Sequence, residues 1–435
     1  LRAVALRRPA PAEATLRLAA DRLEYDEDAR VREAAAVALG ERGAGSAVTT
    51  LEKGLADPDW SVRVCAAVSL GKTRSPDALA ALRRTRADTK DWRLRGAAVV
   101  GLGRLQHADA VPDLIESLTD KEPAIAQTAF EFLRRMTADV KTAKQSDWAG
   151  WWKGAAAGYV FVDREEEARK ARKYGYAPDF AGVYEGQDVI VLQSRGDSIE
   201  QLLERLGIQH RITRQASVTA AALHPFGVFV SNCTGEVTEG DVERLQWFVR
   251  TGGYLFCSCW ALHHTAELVY PGVVRKLPTT QTVLDNVEAE RCPTDSFYLD
   301  GVFDGVTRPI YVLYGSHLIE VLDPERVEVL IDSPDCATRW GGGNLACWFD
   351  AGHGVVLDSA NHFDLQGLER AEGLKSADDR RAYAMDHMGL DHEELRRLDD
   401  ERVWKSGSKA AKAARDLSAF RFITNFVREK RRTDP

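Results

Sequence analysis

Along the first third of the chain, apolar residues fall at i, i+4, i+5 and i+8, one face of a helix, and the pattern recurs every 31 or 32 residues. The copies read Val31-Arg32-x-x-Ala35-Ala36-x-x-Leu39-Gly40, Val62-Arg63-x-x-Ala66-Ala67-x-x-Leu70-Gly71 and Leu94-Arg95-x-x-Ala98-Val99-x-x-Leu102-Gly103. A degraded fourth reads Ile125-x-x-x-Ala129-Phe130-x-x-Leu133. A second helix is expected in each unit, as over 76–84 and 110–118. Such a helix pair cannot bury its apolar face alone, so the units must stack into a solenoid. The Ala pairs leave room for a neighbouring helix, and the Gly after each Leu reads as a C-cap that tolerates positive φ. Asp26, Asp57, Asp88 and Asp120 precede the copies. Arg32, Arg63 and Arg95 are expected to pair with these carboxylates across units rather than to form an anion-binding ladder. The last copy carries Ala126 at that position, as a terminal unit would.

After Thr137 the repeat stops. Trp148, Trp151 and Trp152 share a helical spacing and are expected to be buried on a helix that covers the open end of the solenoid, not to form an aromatic cage. Residues 163–173 (DREEEARKARK) predict a solvated helix, and the domain boundary is placed in this stretch. From residue 187 the period changes. Val189–Leu192, Phe226–Ser231 and Tyr254–Ser258 are short continuous apolar runs, and they alternate with helical segments over 198–206 and after the capping box Thr238–Asp241. Val242, Leu245 and Val249 mark that second helix's apolar face, and Gly252-Gly253 ends it. Strands of this kind between helices predict a parallel sheet covered on both faces. Leu345–Asp350 and Val355–Ser359 predict a hairpin, and Leu417, Phe420, Ile423 and Val427 a closing helix.

The repeat resembles the short HEAT-like repeats first noted in phycobilisome lyases, over about residues 15–136. The resemblance implies an α-solenoid that serves as a binding or scaffolding surface. Phe229–Cys259 (FVSNCTGEVTEGDVERLQWFVRTGGYLFCSC), with the later Ala351-Gly352-His353-Gly354-Val355-Val356 and Asn361-His362, resembles the ThuA-like branch of the class I glutamine amidotransferase-like superfamily over about residues 187–365. The fold expected is therefore multidomain: an α-solenoid over 1–136, a Trp-rich helical cap over 137–186, a flavodoxin-like α/β domain over 187–370, and a charged insertion with a closing helix over 371–435.

In such a sheet, ligands bind at the carboxyl ends of the strands. The readable ends offer Ser194, Arg195, Gly196, Asn232, Thr234, Trp260 and Asn361 as ligand-binding candidates. The superfamily resemblance implies a nucleophilic Cys on a strand-to-helix elbow and a His-x-Glu pair. Cys259 holds the elbow position, and His362-x-Asp364 imitates the pair, with His362 as base and Asp364 as its orienting group. The elbow glycines are missing, because the motif reads Cys257-x-Cys259-x-Ala261, and Trp260 adds bulk. A metal at Cys257, Cys259 and His263 or His264 matches no standard spacing, so no metal is expected. Arg195-Gly196 is no dinucleotide fingerprint, Gly341–Gly343 reads as a turn, and no cofactor is expected.

Charge and composition narrow the classes. Of a net charge of −8, residues 1–140 carry +1 and the rest −9, so neither part has the basic excess of a nucleic-acid binder. No apolar run approaches the roughly 20 residues that span a bilayer. Seven sparse cysteines make no disulfide framework and fit a reducing compartment, so the cytoplasm is the expected location; the chain opens on Leu1, a start expected of a truncated or processed chain, which leaves export open. The leading expectation is a non-catalytic protein, with a protein partner on the solenoid and a small polar ligand in the α/β crevice. The alternatives are a Cys-dependent amidase or hydrolase using Cys259 and His362, and a carbohydrate-related activity implied by the ThuA-like resemblance.

Overall fold

The computed structural model describes residues 13–161, 189–362 and 421–430, less 43, 138–139, 141, 195–196, 198, 201–202, 204–207, 215–222, 279–282 and 304–309. The N-terminal helices alternate as the period requires: α1 (Glu13–Tyr25), α2 (Ala29–Arg42), α3 (Val48–Gly54), α4 (Trp60–Lys72), α5 (Ala78–Asp88), α6 (Trp92–Arg104), α7 (Val111–Ser117) and α8 (Pro123–Arg134). The patterned segments lie on α2, α4, α6 and α8. Asp59 and Asp91 start α4 and α6 by accepting the N–H groups of Ser61 at 2.8 Å and Arg93 at 3.0 Å. Arg32 grips Asp57 of the next unit at 2.8 and 2.9 Å, and Arg95 grips Asp120 at 2.7 and 3.1 Å. Arg63 departs from the expected ladder. It reaches Asp91 at 3.5 Å, not Asp88, because Asp91 stands at the start of the adjacent helix.

The glycines also correct the sequence reading. Gly40, Gly71 and Gly103 lie inside α2, α4 and α6 without positive φ. What they provide is clearance: a Cβ on Gly71 would sit 2.1 Å from the carbonyl oxygen of Gly101 on the neighbouring helix. A helix α9 (Gln145–Ala155) covers the end of the stack, as the Trp spacing predicts. Trp148 is the residue that is fully buried, edge-on to Phe130 of α8 at 6.4 Å. Trp151 and Trp152 are half-buried and meet Tyr159 at 5.7 and 5.6 Å, a looser placement than expected. The segment 163–173 lies outside the described residues.

The second unit is an eight-stranded sheet of β1 (Val189–Leu192), β2 (His210–Thr213), β3 (Val228–Ser231), β4 (Tyr254–Ser258), β7 (Glu290–Arg291), β10 (Val327–Asp332), β11 (Asn344–Ala351) and β12 (Gly354–Ser359), in the order β2-β1-β3-β4-β12-β11-β10-β7. The first five are parallel and the last three join antiparallel, β12 following β11 as the predicted hairpin. Two small antiparallel pairs, β5 (Val274–Lys276) with β9 (Ile319–Val321) and β6 (Val283–Glu288) with β8 (Ile310–Ser316), complete the strands. One sheet face is covered by the helix 421–430, whose Phe422 and Phe426 meet Phe256 edge-on at 6.4 and 5.6 Å. Leu417 and Phe420 fall outside the described residues. On the other face lies α10 (Glu239–Thr251), opened by the predicted capping box of Thr238 and Asp241.

Helix α10 is apolar on two sides, and its second side docks on the solenoid. Trp247 is fully buried there; its Nε1–H donates to the carbonyl of Arg93 at 2.9 Å, and its ring meets Trp92 at 5.6 Å. Arg250 Nε donates to Glu33 at 3.2 Å, and Arg244 pairs with Glu122. The turn of the β11–β12 hairpin enters the same interface. Gly352 takes φ +59°, and a Cβ there would lie 2.6 Å from Cα of Arg250. That clearance lets His353 approach Ser69 Oγ of α4 at 3.1 Å. One continuous apolar core therefore runs from the repeats to this face of the sheet.

Candidate functional site

All five parallel strands deliver their carboxyl ends to one edge, and the order reverses direction between β1 and β3, where an open sheet forms its crevice. Cys233 follows β3, Cys259 follows β4 and His362 follows β12. Their ligand-forming atoms all lie within 4.8 Å of one another, and the three residues are 3%, 0% and 3% exposed. Cys259 holds φ +51°, a left-handed value that costs a residue with a Cβ, at the point where β4 turns into the following helical turn Leu262–Ala266. Its N–H donates to Ser359 O at 2.8 Å, which ties the elbow to β12. Its Sγ lies 3.5 Å from Ser316 Oγ.

The two thiols divide the roles between them. The hydrogen bond from Cys259, assisted by His362 and the amide of Trp260, outweighs burial and holds the Cys233 thiol down to about 5. The same contact, reinforced by burial, pushes the Cys259 thiol up. Cys233 lies in a strand end that the sequence shows, Asn232-Cys233-Thr234-Gly235, but the sequence assigns it no site role. The available signal was its place, two residues beyond a buried strand that is paired directly with β4.

Asn232 is fully buried and donates to Asp197 O at 2.7 Å, while its Oδ1 accepts from Ser258 Oγ at 3.2 Å. Asn361 accepts a hydrogen bond from Ser359. Asn232 thus ties neighbouring strand ends together, whereas the Asn361 contact stays within the end of β12. Ser194 is half-buried beyond β1, and Thr234 is exposed beside Cys233. Trp260 is half-buried, with its Nε1–H on Gly315 O at 2.9 Å and its ring stacked with His264 at 5.7 Å. Arg195, Gly196 and Asp364 lie outside the described residues. Cys257 does not join Cys259, because it sits within β4 and points into the solenoid-side core. His263 is held by Glu267 at 2.9 Å, so the set Cys257, Cys259 and His263 or His264 is not assembled.

Residues 16–101 and 84–146 match the family profile of HEAT repeats. The N-terminal unit is thus a HEAT-repeat solenoid, and the HEAT units are joined to an α/β domain with a mixed, mainly parallel sheet. No curated protein matches the chain. Among solved structures, a β-galactosidase from Rahnella sp. R3 is 12% identical with a TM-score of 0.29 and covers 41% of this chain, which spans 29% of that enzyme. A cytoplasmic protein from Salmonella typhimurium LT2 is 12% identical with a TM-score of 0.30, covering 40% of this chain and 88% of its own. A ThuA-like protein from Bacteroides uniformis is 10% identical with a TM-score of 0.30, covering 43% and 87%. Among the described residues, no helix is long and apolar enough to cross a membrane.

Beneath the site, Asp358 stands in register between Cys257 and Cys347. It is 1% exposed, and neither carboxylate oxygen has a hydrogen-bond partner among the described residues. Burial pushes its carboxyl well above the ordinary range. A raised folded value means that the folded state binds the extra proton, so this group costs stability increasingly as pH rises above the unfolded value. Asp358→Val should therefore stabilise by about 1–3 kcal/mol, and by more at pH 8 than at pH 4. Urea midpoints at the two pH values test this; a variant less stable than wild type at both would show that the carboxyl has a partner the geometry does not reveal.

Proposed function

We propose that this is a non-catalytic interaction protein. Its HEAT solenoid engages a protein partner on the surface that the α/β domain leaves uncovered, and the α/β domain, ThuA-like in its motifs, holds a small polar ligand at the carboxyl edge of the sheet. The observation that supports this reading is the state of the elbow residue. Cys259, which an amidotransferase-like hydrolase would use as nucleophile, is fully buried, with its sulfur packed among Cys233, His362 and Ser316 where no carbonyl has access. An acyl-transfer nucleophile has to meet a carbonyl carbon as thiolate.

One observation favours the Cys-dependent hydrolase as a second reading. Cys233 has His362 beside it, which helps to hold its thiol below the ordinary range, and that pair would supply nucleophile and base from residues other than an elbow dyad. Iodoacetamide labelling of the native chain, mapped by mass spectrometry, separates the two. The expected result is labelling of both Cys233 and Cys259 far slower than a free thiol, unchanged in His362→Ala, because burial denies the reagent access. Rapid labelling of Cys233 that disappears in His362→Ala would replace the binding reading with the hydrolase.

A further inference from the structure

We propose that Cys233, Cys259 and His362 form a Cys2His site for one soft divalent cation, zinc by its ligand chemistry, with a fourth coordination position left to water or a small polar ligand. This goes beyond the reading above and stands whether or not the solenoid has a partner.

The donor set comes first. Two sulfurs and one imidazole suit zinc, whereas hard cations take oxygen ligands. Zinc–sulfur bonds of about 2.3 Å in a tetrahedron place donor atoms roughly 3.7 Å apart. Three donors already within 4.8 Å of one another need only a small inward movement to reach that spacing. Charge agrees with burial. Two thiolates and a neutral imidazole balance a dication, so the loaded site is neutral in a place where uncompensated charge is costly.

The support of the donors comes second. They arrive from three different strand ends, and the two cysteines are fixed there by hydrogen bonds. Cys233 N–H donates to Ser258 Oγ at 3.2 Å, Cys259 N–H to Ser359 O at 2.8 Å, and Ser316 Oγ stands 3.5 Å from the Cys259 sulfur. Hydroxyl and amide groups around the donors are what orient metal ligands in known sites. The left-handed turn at Cys259 gains a purpose here, because it takes the residue out of the strand's alternation and brings its sulfur to Cys233. Among the described residues no fourth Cys, His or carboxylate belongs to the group. A three-ligand site is the open form, the kind that holds an exchangeable ligand, whereas closed structural sites have four.

The test uses the full chain, kept reduced and freed of metal by chelation, then titrated with Co2+ as a visible stand-in for zinc. The expected result is one Co2+ per chain, with a thiolate-to-cobalt charge-transfer band and tetrahedral d–d bands, displaced by one equivalent of Zn2+. Cys233→Ser and Cys259→Ser should each lose the charge-transfer intensity of one sulfur and bind at least tenfold more weakly. Cys257→Ser, two positions from the elbow, should titrate as wild type. Circular dichroism of each variant identifies any that fails to fold, and the wild-type titration decides by itself. Absence of the charge-transfer band in the reduced wild type overturns the site. So does an unchanged titration in folded Cys233→Ser and Cys259→Ser.

Discussion

Trp247→Ala should cost about 3–5 kcal/mol and turn a single unfolding transition into two. The indole belongs to the α/β domain but is buried in the solenoid. It lies against Trp92, it donates to the backbone of Arg93, and it fills the space over Gly96, where a Cβ would come 2.8 Å from the ring. Removing it leaves a cavity that neither unit can collapse into without moving the other, because the contact is made by rigid helices on both sides. Differential scanning calorimetry reads the outcome. One transition at the wild-type temperature would mean that the two units are not coupled through this residue. Gly96→Val should produce the same loss from the opposite direction, by pushing the ring out.

Arg250→Ala should cost about 3 kcal/mol, measured by chemical denaturation, because it leaves the carboxylate of Glu33 buried without its nearest cation. Glu33 is 8% exposed; burial works against its charge, and Arg250 is the main group that nonetheless keeps its carboxyl below the ordinary value. The guanidinium also lies over Trp60 at 5.0 Å and Tyr270 at 5.5 Å, so truncation removes packing as well as charge. Arg326 acts on the same carboxylate and limits the loss. The double variant Arg250→Met with Glu33→Met should recover most of it, since apolar groups of similar volume need no partner. A single variant within about 0.5 kcal/mol of wild type would show that Glu33 is already satisfied without Arg250.

The elements were legible where one physical signal dominated. The 31-residue period with a helical apolar spacing inside each copy meant stacked helix pairs, and Val189–Leu192 is a strand in the structure at the bounds its apolar run predicts. The glycines misled because position in sequence does not separate the end of a helix from the crossing point of two; Gly71 lies one residue before the end of α4 and serves the crossing. Docking was illegible because the helix face was read from Val242, Leu245 and Val249 alone. Trp247 and Phe248 add apolar positions away from that face, and Trp247 gives α10 its second apolar side, as in a helix covered from two directions. The convergence of Cys259 and His362 followed from counting strand ends. Cys233 escaped because no motif names it; it joins the pair only through the order of strands, which periodicity does not encode.

The strand β12 begins one residue after His353, lodged in the solenoid, and ends three residues before His362. Its neighbour β4 begins just after α10, which is bolted to the same repeats, and ends one residue before Cys259. Six residues of strand span about 20 Å and are locked in register from Val355 opposite Tyr254 to Ser359 opposite Ser258. These two strands are therefore stiff struts with a common footing, and the solenoid is that footing. Because both struts stand on the same repeats and are locked to each other, the sulfur of Cys259 and the imidazole of His362 at their far ends are held in place from a single base on the opposite side of the domain.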